Sequence, residues 1–434
     1  MSDRPNVLHI STHDSGRFFG CYGIDTVTTP NIDRLAADGV LAEEMHAVCP
    51  ICSPSRGAAM TGLYPQRNGL IGLTHQGYAF HENTVHLARR MREGGYESVL
   101  FSFQHEVVPE NWERLGFESY QCREAEGVPY PYMFRPAPEV AGAFRQWLGD
   151  REEKRPFYVQ LGFNETHTPF FFGGAYPDKS KGVTVPPYLE RNQASEDYFG
   201  HLQGAIGQVD EAVGILLRAL EENGLAENTL VVFTTDHGIE ARRAKWTLYD
   251  PGTQIAFVAR WPRGGLNGGR RLQQLQSNLH FTPTLLDLCG LPVPAGLDGV
   301  SKAAWLRGEA DDSACAEPFF GFYHNGSTRC IRTDRYKLIR NFDTDIERYA
   351  YPCDMSDPRV IGPPHFVELY DLEADPEEIR NLAGNPDYRS PQANLETRLR
   401  QWLEAMDDPI LRGPEPSPFY SAAMRDFSED SAAT

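Results

Sequence analysis

The sequence predicts an α/β fold: a large, mostly parallel sheet layered by helices, followed by a smaller antiparallel sheet carrying one helix. Three observations predict it. Up to about residue 310, apolar strand-like runs alternate with stretches of helical periodicity. Polar clusters recur where those runs end, the edge at which open α/β sheets place ligands. Beyond about Asp311 the spacing shortens to that of a meander.

In chain order, Asn6–Ser11 reads as a buried parallel strand that ends in the polar loop His13-Asp14-Ser15-Gly16. TTPNIDRLAADGV reads as a helix, with Thr28 or Thr29 capping, Pro30 in the first turn and Gly39 closing it. HENTVHLARRMREGGY is a second helix, and YESVLFSFQHE a strand with a polar end at Gln104-His105. A helix near Ala137–Leu148 precedes the strand RPFYVQLGF, which ends in NETHTPF. A long helix from about Ala194 to Asn223 leads into the strand NTLVVFTTDHG, then the strand GTQIAFVARWP and the helix FTPTLLDLCG. After the acidic, small-residue stretch RGEADDSACAEP, the segments EPFFGFYH, STRCIRTD and RYKLIRNF are short strands, covered by a helix from about Pro391 to Met406. The expected division is 1–310 and 311–434. DLEADPEE reads as a solvated turn and helix start. The tail after Pro414 lacks periodicity and is expected to be irregular.

The net charge of −19 argues against nucleic acid or an anionic membrane as partner, so an anionic substrate needs a locally basic pocket. The eight cysteines show no framework spacing, which suits a reducing compartment. No basic segment with a long hydrophobic core precedes the first strand, and no apolar run reaches membrane-spanning length. A cytoplasmic location is the expectation.

The stretch CPICSPSRGAAMTGLYPQRNG holds Cys49 and Cys52. A zinc site would need a second ligand pair, and a redox motif a thioredoxin-like unit. Neither is evident. Cys52-Ser53-Pro54-Ser55-Arg56, with Thr61-Gly62 and Gly69 after it, resembles the signature of the type I sulfatases. The cysteine of their C-x-P-S-R motif is oxidised to formylglycine; Cys52 fits that register and Cys49 does not. RPNVLHISTHDSG resembles the family's first metal-binding strand, FTTDHG its second, and VELYDLEADPEEIRNLA its carboxyl-terminal hallmark. CSPSRGAAMTGLYPQRNGLIGLTHQ and YDPGTQIAFVARWP are most similar to the heparan N-sulfatase (sulfamidase) branch. The resemblance implies an alkaline-phosphatase-like sandwich and hydrolysis of a sulfate ester or sulfamate on an N- or O-sulfated sugar.

It also implies a set of roles. A serine alkoxide attacking sulfate would leave a sulfated serine that is hard to hydrolyse. In a geminal diol one hydroxyl attacks sulfur, and the other expels sulfate by restoring the carbonyl. Such a site needs a divalent metal, cations and an acid–base pair. Asp14, Asp236 and His237 are the implied metal ligands, with Cys52 itself and His13 as further members. Calcium is expected, with manganese or magnesium as alternatives. Arg56 would anchor the diol, His105 deprotonate it, His167 meet the leaving group and Lys245 hold sulfate oxygens. Arg242 and Arg243 could take the role of Lys245. Substrate contacts are expected from His167 and Lys245, with His75 and Arg332 as further candidates. His75 and Gln76 fit a solvated loop equally well, and Arg332 and His324 ordinary surface positions. A formylglycine-generating maturation enzyme is an implied partner.

Three departures stand out. His13-Asp14 replaces two adjacent aspartates, Asp236-His237 replaces Asp-Asn, and Phe103 stands where a lysine is usual. They keep two rivals open: a phosphonate monoester or phosphodiester hydrolase on the same scaffold, and an inactive binding protein retaining the fold.

Overall fold

A computed structural model describes residues 4–125, 133–310, 317–324, 327–342, 366–414 and 416–430. The parallel heart of the large sheet is built from β1 (Asn6–Thr12), β4 (Glu97–Ser102), β5 (Ser119–Gln121), β6 (Phe157–Gly162) and β7 (Thr229–Thr235). Each residue of β1 is buried, as a strand covered on both faces requires. β8 (Phe257–Arg260) joins β7 antiparallel. The short strands β2 (Val40–Ala42) and β9 (Arg270–Leu272) complete the order β5-β4-β6-β1-β7-β8-β2-β9. A two-stranded sheet pairs β3 (Met45–His46) with β10 (Gln276–Ser277).

Helices cover both faces. On one side lie α1 (Pro30–Asp38), α5 (Ala137–Asp150) and α6 (Gln193–Glu222), which bury Leu35, Phe144, Leu202 and Val213 with Leu8 and Val231 of the sheet. The start of α6 is set by a capping box: Asn192 accepts from the Ser195 backbone N–H and Ser195 reciprocates, a device worth about 1 kcal/mol. On the other side lie α2 (Cys52–Thr61), α3 (Pro65–Asn68), α4 (Leu87–Glu93), α8 (Phe281–Leu288) and α9 (Ala303–Arg307), with the one-turn α7 (Asp250–Thr253) near the sheet edge. Met60, Leu87, Met91, Leu285 and Trp305 fill that second core. Among the described residues no helix is long and apolar enough to cross a membrane.

The carboxyl-terminal sheet is β11 (Phe319–Tyr323), β12 (Thr328–Arg332), β13 (Tyr336–Asn341) and β14 (Val367–Asp371), an antiparallel meander covered by α10 (Arg389–Ala405). The residues at 311–316, where a boundary is expected, lie outside the described residues. The small sheet shares a core with the segment entering α2: Val48, Ile51 and Cys52 cluster with Phe322, Ile331, Leu338 and Trp402. The Phe322 N–H donates to the Val48 carbonyl at 2.7 Å, tying the two units beside the cysteine.

The structure differs from three expectations. VELYD forms a fourth strand, with Leu369 and Tyr370 buried in the small sheet's core. DLEADPEE is a turn with no helix, and it is not wholly solvated: Glu378 is buried and pairs with Lys337 at 3.0 Å. The tail is helical, as α11 (Pro418–Asp430), with Phe419 and Tyr420 exposed. A Cβ on Gly77 would come within 3.0 Å of Pro418, so this helix begins against the loop that carries His75.

Candidate active site

Sheet register assembles the site. Thr12 of β1 sits beside Thr235 of β7, so Asp14 and Asp236 leave neighbouring strand ends together. Ser11 pairs with Gly162 of β6, and Ser102 of β4 pairs with the same glycine. The loops bearing His167 and His105 therefore emerge at the same edge. Asp14 adopts φ +38°, a left-handed conformation that aspartate tolerates better than most residues, and its N–H donates to Asp236 Oδ1 at 3.1 Å. Cys52 arrives from below as the first residue of α2, placing its side chain at the positive end of the helix. The small-residue run after it has a packing reason: a Cβ on Gly57 would lie 2.9 Å from Leu70 Cδ2.

The inner cluster is dense and buried. Cys52 Sγ lies 3.2 Å from His237 Nε2, which also stands 3.2 Å from Asp14 Oδ1. Asp236 Oδ2 receives Arg56 through Nε at 3.2 Å and Nη2 at 3.1 Å, and His13 Nδ1 stands 3.3 Å away. Arg56 is further held by Ser11 Oγ and the Thr12 carbonyl, and its guanidinium lies over the Phe103 ring at 5.3 Å. Phe103 thus backs Arg56 and packs edge-on against His13. Lys245 Nζ donates to Asp14 Oδ2 at 2.7 Å. His167 Nε2 is 3.8 Å from the same oxygen, while Nδ1 faces the Thr168 carbonyl at 2.7 Å.

Burial and charge set the protonation states. Burial pushes the Cys52 thiol well above its ordinary value, and Lys245 and Arg56 fail to offset it, so an unmodified Cys52 is a poor nucleophile. Burial would depress the Lys245 ammonium, but Asp14 and Glu240 hold it above its usual range. Burial would raise Asp236, yet His237, Arg56 and His13 keep it well below the carboxylate norm. His237 is lowered, burial outweighing Asp236 and Asp14, and is neutral.

These residues fit a divalent cation. Donor atoms of His13, Asp14, Cys52 and Asp236 all lie within 4.8 Å of one another. His237 Nδ1 faces the Gly238 carbonyl at 2.9 Å, which assigns its proton and turns the Nε2 lone pair toward Asp14 Oδ1. That oxygen has no hydrogen-bond partner. Two buried acceptors facing each other repel unless a cation joins them. Burial, opposed by Lys245 and His237, also lifts Asp14 to about 6. At and below that pH a bound cation must displace a proton from Asp14. Metal affinity is therefore expected to weaken as pH falls through 6, by up to about tenfold per pH unit. Calorimetric titration above and below pH 6 checks this; a flat profile would remove Asp14 from the ligand set.

Two expected residues form an outer layer. His105 stacks on His75 with ring centroids 5.8 Å apart and meets the edge of Phe103. Burial, with Arg56 adding to it, lowers His105 to about 3, leaving it neutral. His75 is exposed at the rim. Arg332 is not brought to the cluster. It is buried in an ion network, with Nη2 at 2.9 Å from both Asp250 Oδ2 and Glu44 Oε2, and Lys337 Nζ also binds Asp250, at 2.8 Å. Arg332→Met should cost about 1.5–3 kcal/mol of unfolding free energy, the worth of a hydrogen bond to a charged group, because Lys337 still holds buried Asp250, read from denaturant midpoints, while KM stays put. A raised KM at wild-type stability would restore the substrate role.

Sequence reasoning missed Glu106 and Glu240. Glu106 is buried directly after His105, accepting the His105 backbone N–H and the Gln160 amide, each at 2.7 Å. It anchors the loop that presents that histidine. Glu240 stands 3.8 Å from Lys245 Nζ. Its signal was position: it lies in the loop between Asp236 and Lys245.

The sulfatase family model matches residues 5–291. The chain belongs to the sulfatase family. It is thereby a sulfuric ester hydrolase, and a second model, described as N-sulphoglucosamine sulphohydrolase, C-terminal, matches residues 237–405 of this sulfatase. An ulvan-active sulfatase of Formosa agariphila is 29% identical, over 94% of the chain and 82% of the relative. The N-sulphoglucosamine sulphohydrolase of Homo sapiens is 25% identical, over 94% and 92%. Among solved structures, BT4656 in complex with its substrate D-glucosamine-2-N,6-O-disulfate aligns with TM-score 0.73 at 19% identity, covering 95% of this chain and 99% of that one. The phosphonate monoester hydrolase of Agrobacterium radiobacter aligns with TM-score 0.72 at 23% identity, over 93% and 96%. Both structures share the expected alkaline-phosphatase-like fold with this sulfatase.

Proposed function

We propose that this sulfatase removes a sulfuryl group from an N- or O-sulfated sugar, using Cys52 in its formylglycine form and one divalent cation. The observation that carries the reading is the contact set of Cys52 Sγ, His237 Nε2 and the two strand-end aspartates, enclosed by Arg56 and Lys245. Relatives named as ulvan-active and N-sulphoglucosamine hydrolases support a sulfated saccharide as substrate. Asp14, Asp236, His237 and the side chain of residue 52 would hold the cation, with His13 bearing on Asp236. Calcium suits the carboxylates, and the imidazoles leave room for manganese or magnesium. When present, the cation and formylglycine supply a hydroxyl nucleophile of low pKa that a thiol cannot match here.

The chain's own residues do the rest. Lys245 and Arg56 give an anionic sulfuryl group fixed positive charge in a buried site, where such charge acts strongly. His105 Nδ1, buried and without a hydrogen-bond partner, can take a proton once an anionic sulfuryl group in the site offsets the Arg56 charge that helps hold it neutral. His167 offers Nε2 toward the leaving group, since Nδ1 is committed to the Thr168 carbonyl. Helix α2 adds the positive potential of its first turn.

The test is kinetic. Matured, metal-loaded protein is assayed on an aryl sulfate, glucosamine N-sulfate and an aryl phosphonate monoester. The expected order places both sulfur substrates above the phosphonate in kcat/KM. A phosphonate preference of several orders of magnitude would overturn the proposal.

A further inference from the structure

Glu240 puts a carboxylate on the more exposed side of the buried Lys245–Asp14 pair. Its carboxylate accepts a hydrogen bond from Thr168 Oγ1 at 2.6 Å and stands 3.8 Å from Lys245 Nζ. The side chain is 24% exposed, whereas Asp14 and Lys245 beside it are at most 2% exposed. Thr168 follows His167, so with His167 in its proposed role Glu240 borders the leaving-group side. Donor atoms of Asp14, His167 and Glu240 gather within 4.8 Å, as for a metal, but the Lys245 ammonium already serves as their cation. The Tyr198 hydroxyl holds the Glu240 backbone carbonyl, so the placement is anchored from two sides.

A carboxylate there disfavours an incoming sulfuryl anion. It becomes useful only if the departing atom carries hydrogens and positive charge. The two candidate bonds differ in this respect. Breaking S–O releases a neutral hydroxyl. Breaking the S–N bond of a sulfamate leaves the electron pair on nitrogen, which ends as an ammonium. In balance, R–NH–SO3⁻ and water give R–NH3⁺ and SO4²⁻, the water oxygen joining sulfur and its two hydrogens joining nitrogen.

We propose that Glu240 is a specificity-determining residue that accepts a hydrogen bond from the leaving nitrogen and favours sulfamates over sulfate esters. The inference rests on the sulfatase reading above. Wild-type, Glu240→Gln and Glu240→Ala proteins, all matured and metal-loaded, are compared on glucosamine N-sulfate and an aryl sulfate. Each variant should lower the ratio of kcat/KM for the N-sulfate to that for the aryl sulfate by about ten- to a hundredfold, the span of a hydrogen bond to a charged group. An equal loss on both substrates would overturn the inference and make Glu240 a positioning residue for Lys245. So would an unchanged ratio, or a wild-type protein that cleaves the aryl sulfate and ignores the N-sulfate. Wild-type protein inert on both would instead bring down the sulfatase reading itself.

Discussion

Cys52→Ala is expected to lower kcat by at least about 10⁴-fold, the scale of losing a nucleophile, while fold and metal-free stability persist. The reason lies in the packing. Cys52 fills a small space at the head of α2, and the Arg56–Asp236 pair that organises the pocket does not touch it. Truncation removes the reacting atom, its contact with His237 and one contact in the core shared with the small sheet, and leaves the Arg56–Asp236 pair in place. Cys52→Ser makes a sharper version of the same test. It keeps a hydroxyl beside His237, so one sulfuryl transfer is expected, followed by arrest as a sulfated serine that has no second hydroxyl to expel sulfate. Stopped-flow release of one equivalent of leaving group, with the sulfated peptide seen by mass spectrometry, is the expected outcome. Mass spectrometry of the wild-type peptide ending at Arg56, after co-expression with a maturation enzyme, should show an aldehyde in place of the thiol. Sustained turnover by the alanine variant would end the proposal.

Arg56→Ala is expected to be costly in two separate ways. Arg56 binds Asp236 through two nitrogens and reaches Ser11 and the Thr12 carbonyl, all in a buried setting. Its removal strands a buried carboxylate, and the cost should be about 3–5 kcal/mol of stability. The same change withdraws a fixed positive charge from the sulfuryl group, an effect of about 10²–10³-fold in kcat. Arg56→Lys separates the two. A lysine restores the charge but not the planar fork, so stability should recover more than activity. Chemical denaturation and steady-state kinetics on both variants check this. Equal recovery of both quantities would mean that the fork geometry does not matter.

Much of the site is local in sequence, and that part was legible. Asp14, His105, His167 and Asp236 each follow an apolar strand by one to five residues, so strand recognition alone lines them up at one edge. Cys52 and Arg56 share one helix and one motif. The misplacements share a different character. Arg332 sits at the end of a strand and looks like a cation free to meet a sugar, yet Asp250 and Glu44, far away in the chain, claim it. Glu378 lies in an acidic run that reads as solvated, yet Lys337 draws it inside. Helix α11 escapes the sequence reading although its apolar residues are spaced much as in the other helices, and its Phe419, Tyr420 and Met424 stay exposed.

The amino-acid sequence by itself determined which chemistry the chain carries, because C-x-P-S-R and the strand-end aspartates are short-range patterns that survive without knowing the fold. Only the tertiary structure decided which charges are spoken for. The lone pair of His237 turned toward Asp14, the ring of Phe103 beneath Arg56, the capture of Arg332 by Asp250 and the place of Glu240 beside Lys245 all arise between distant segments. Burial makes those encounters decisive, since an ionised group removed from water is governed by the partner it meets and not by its neighbours in the chain.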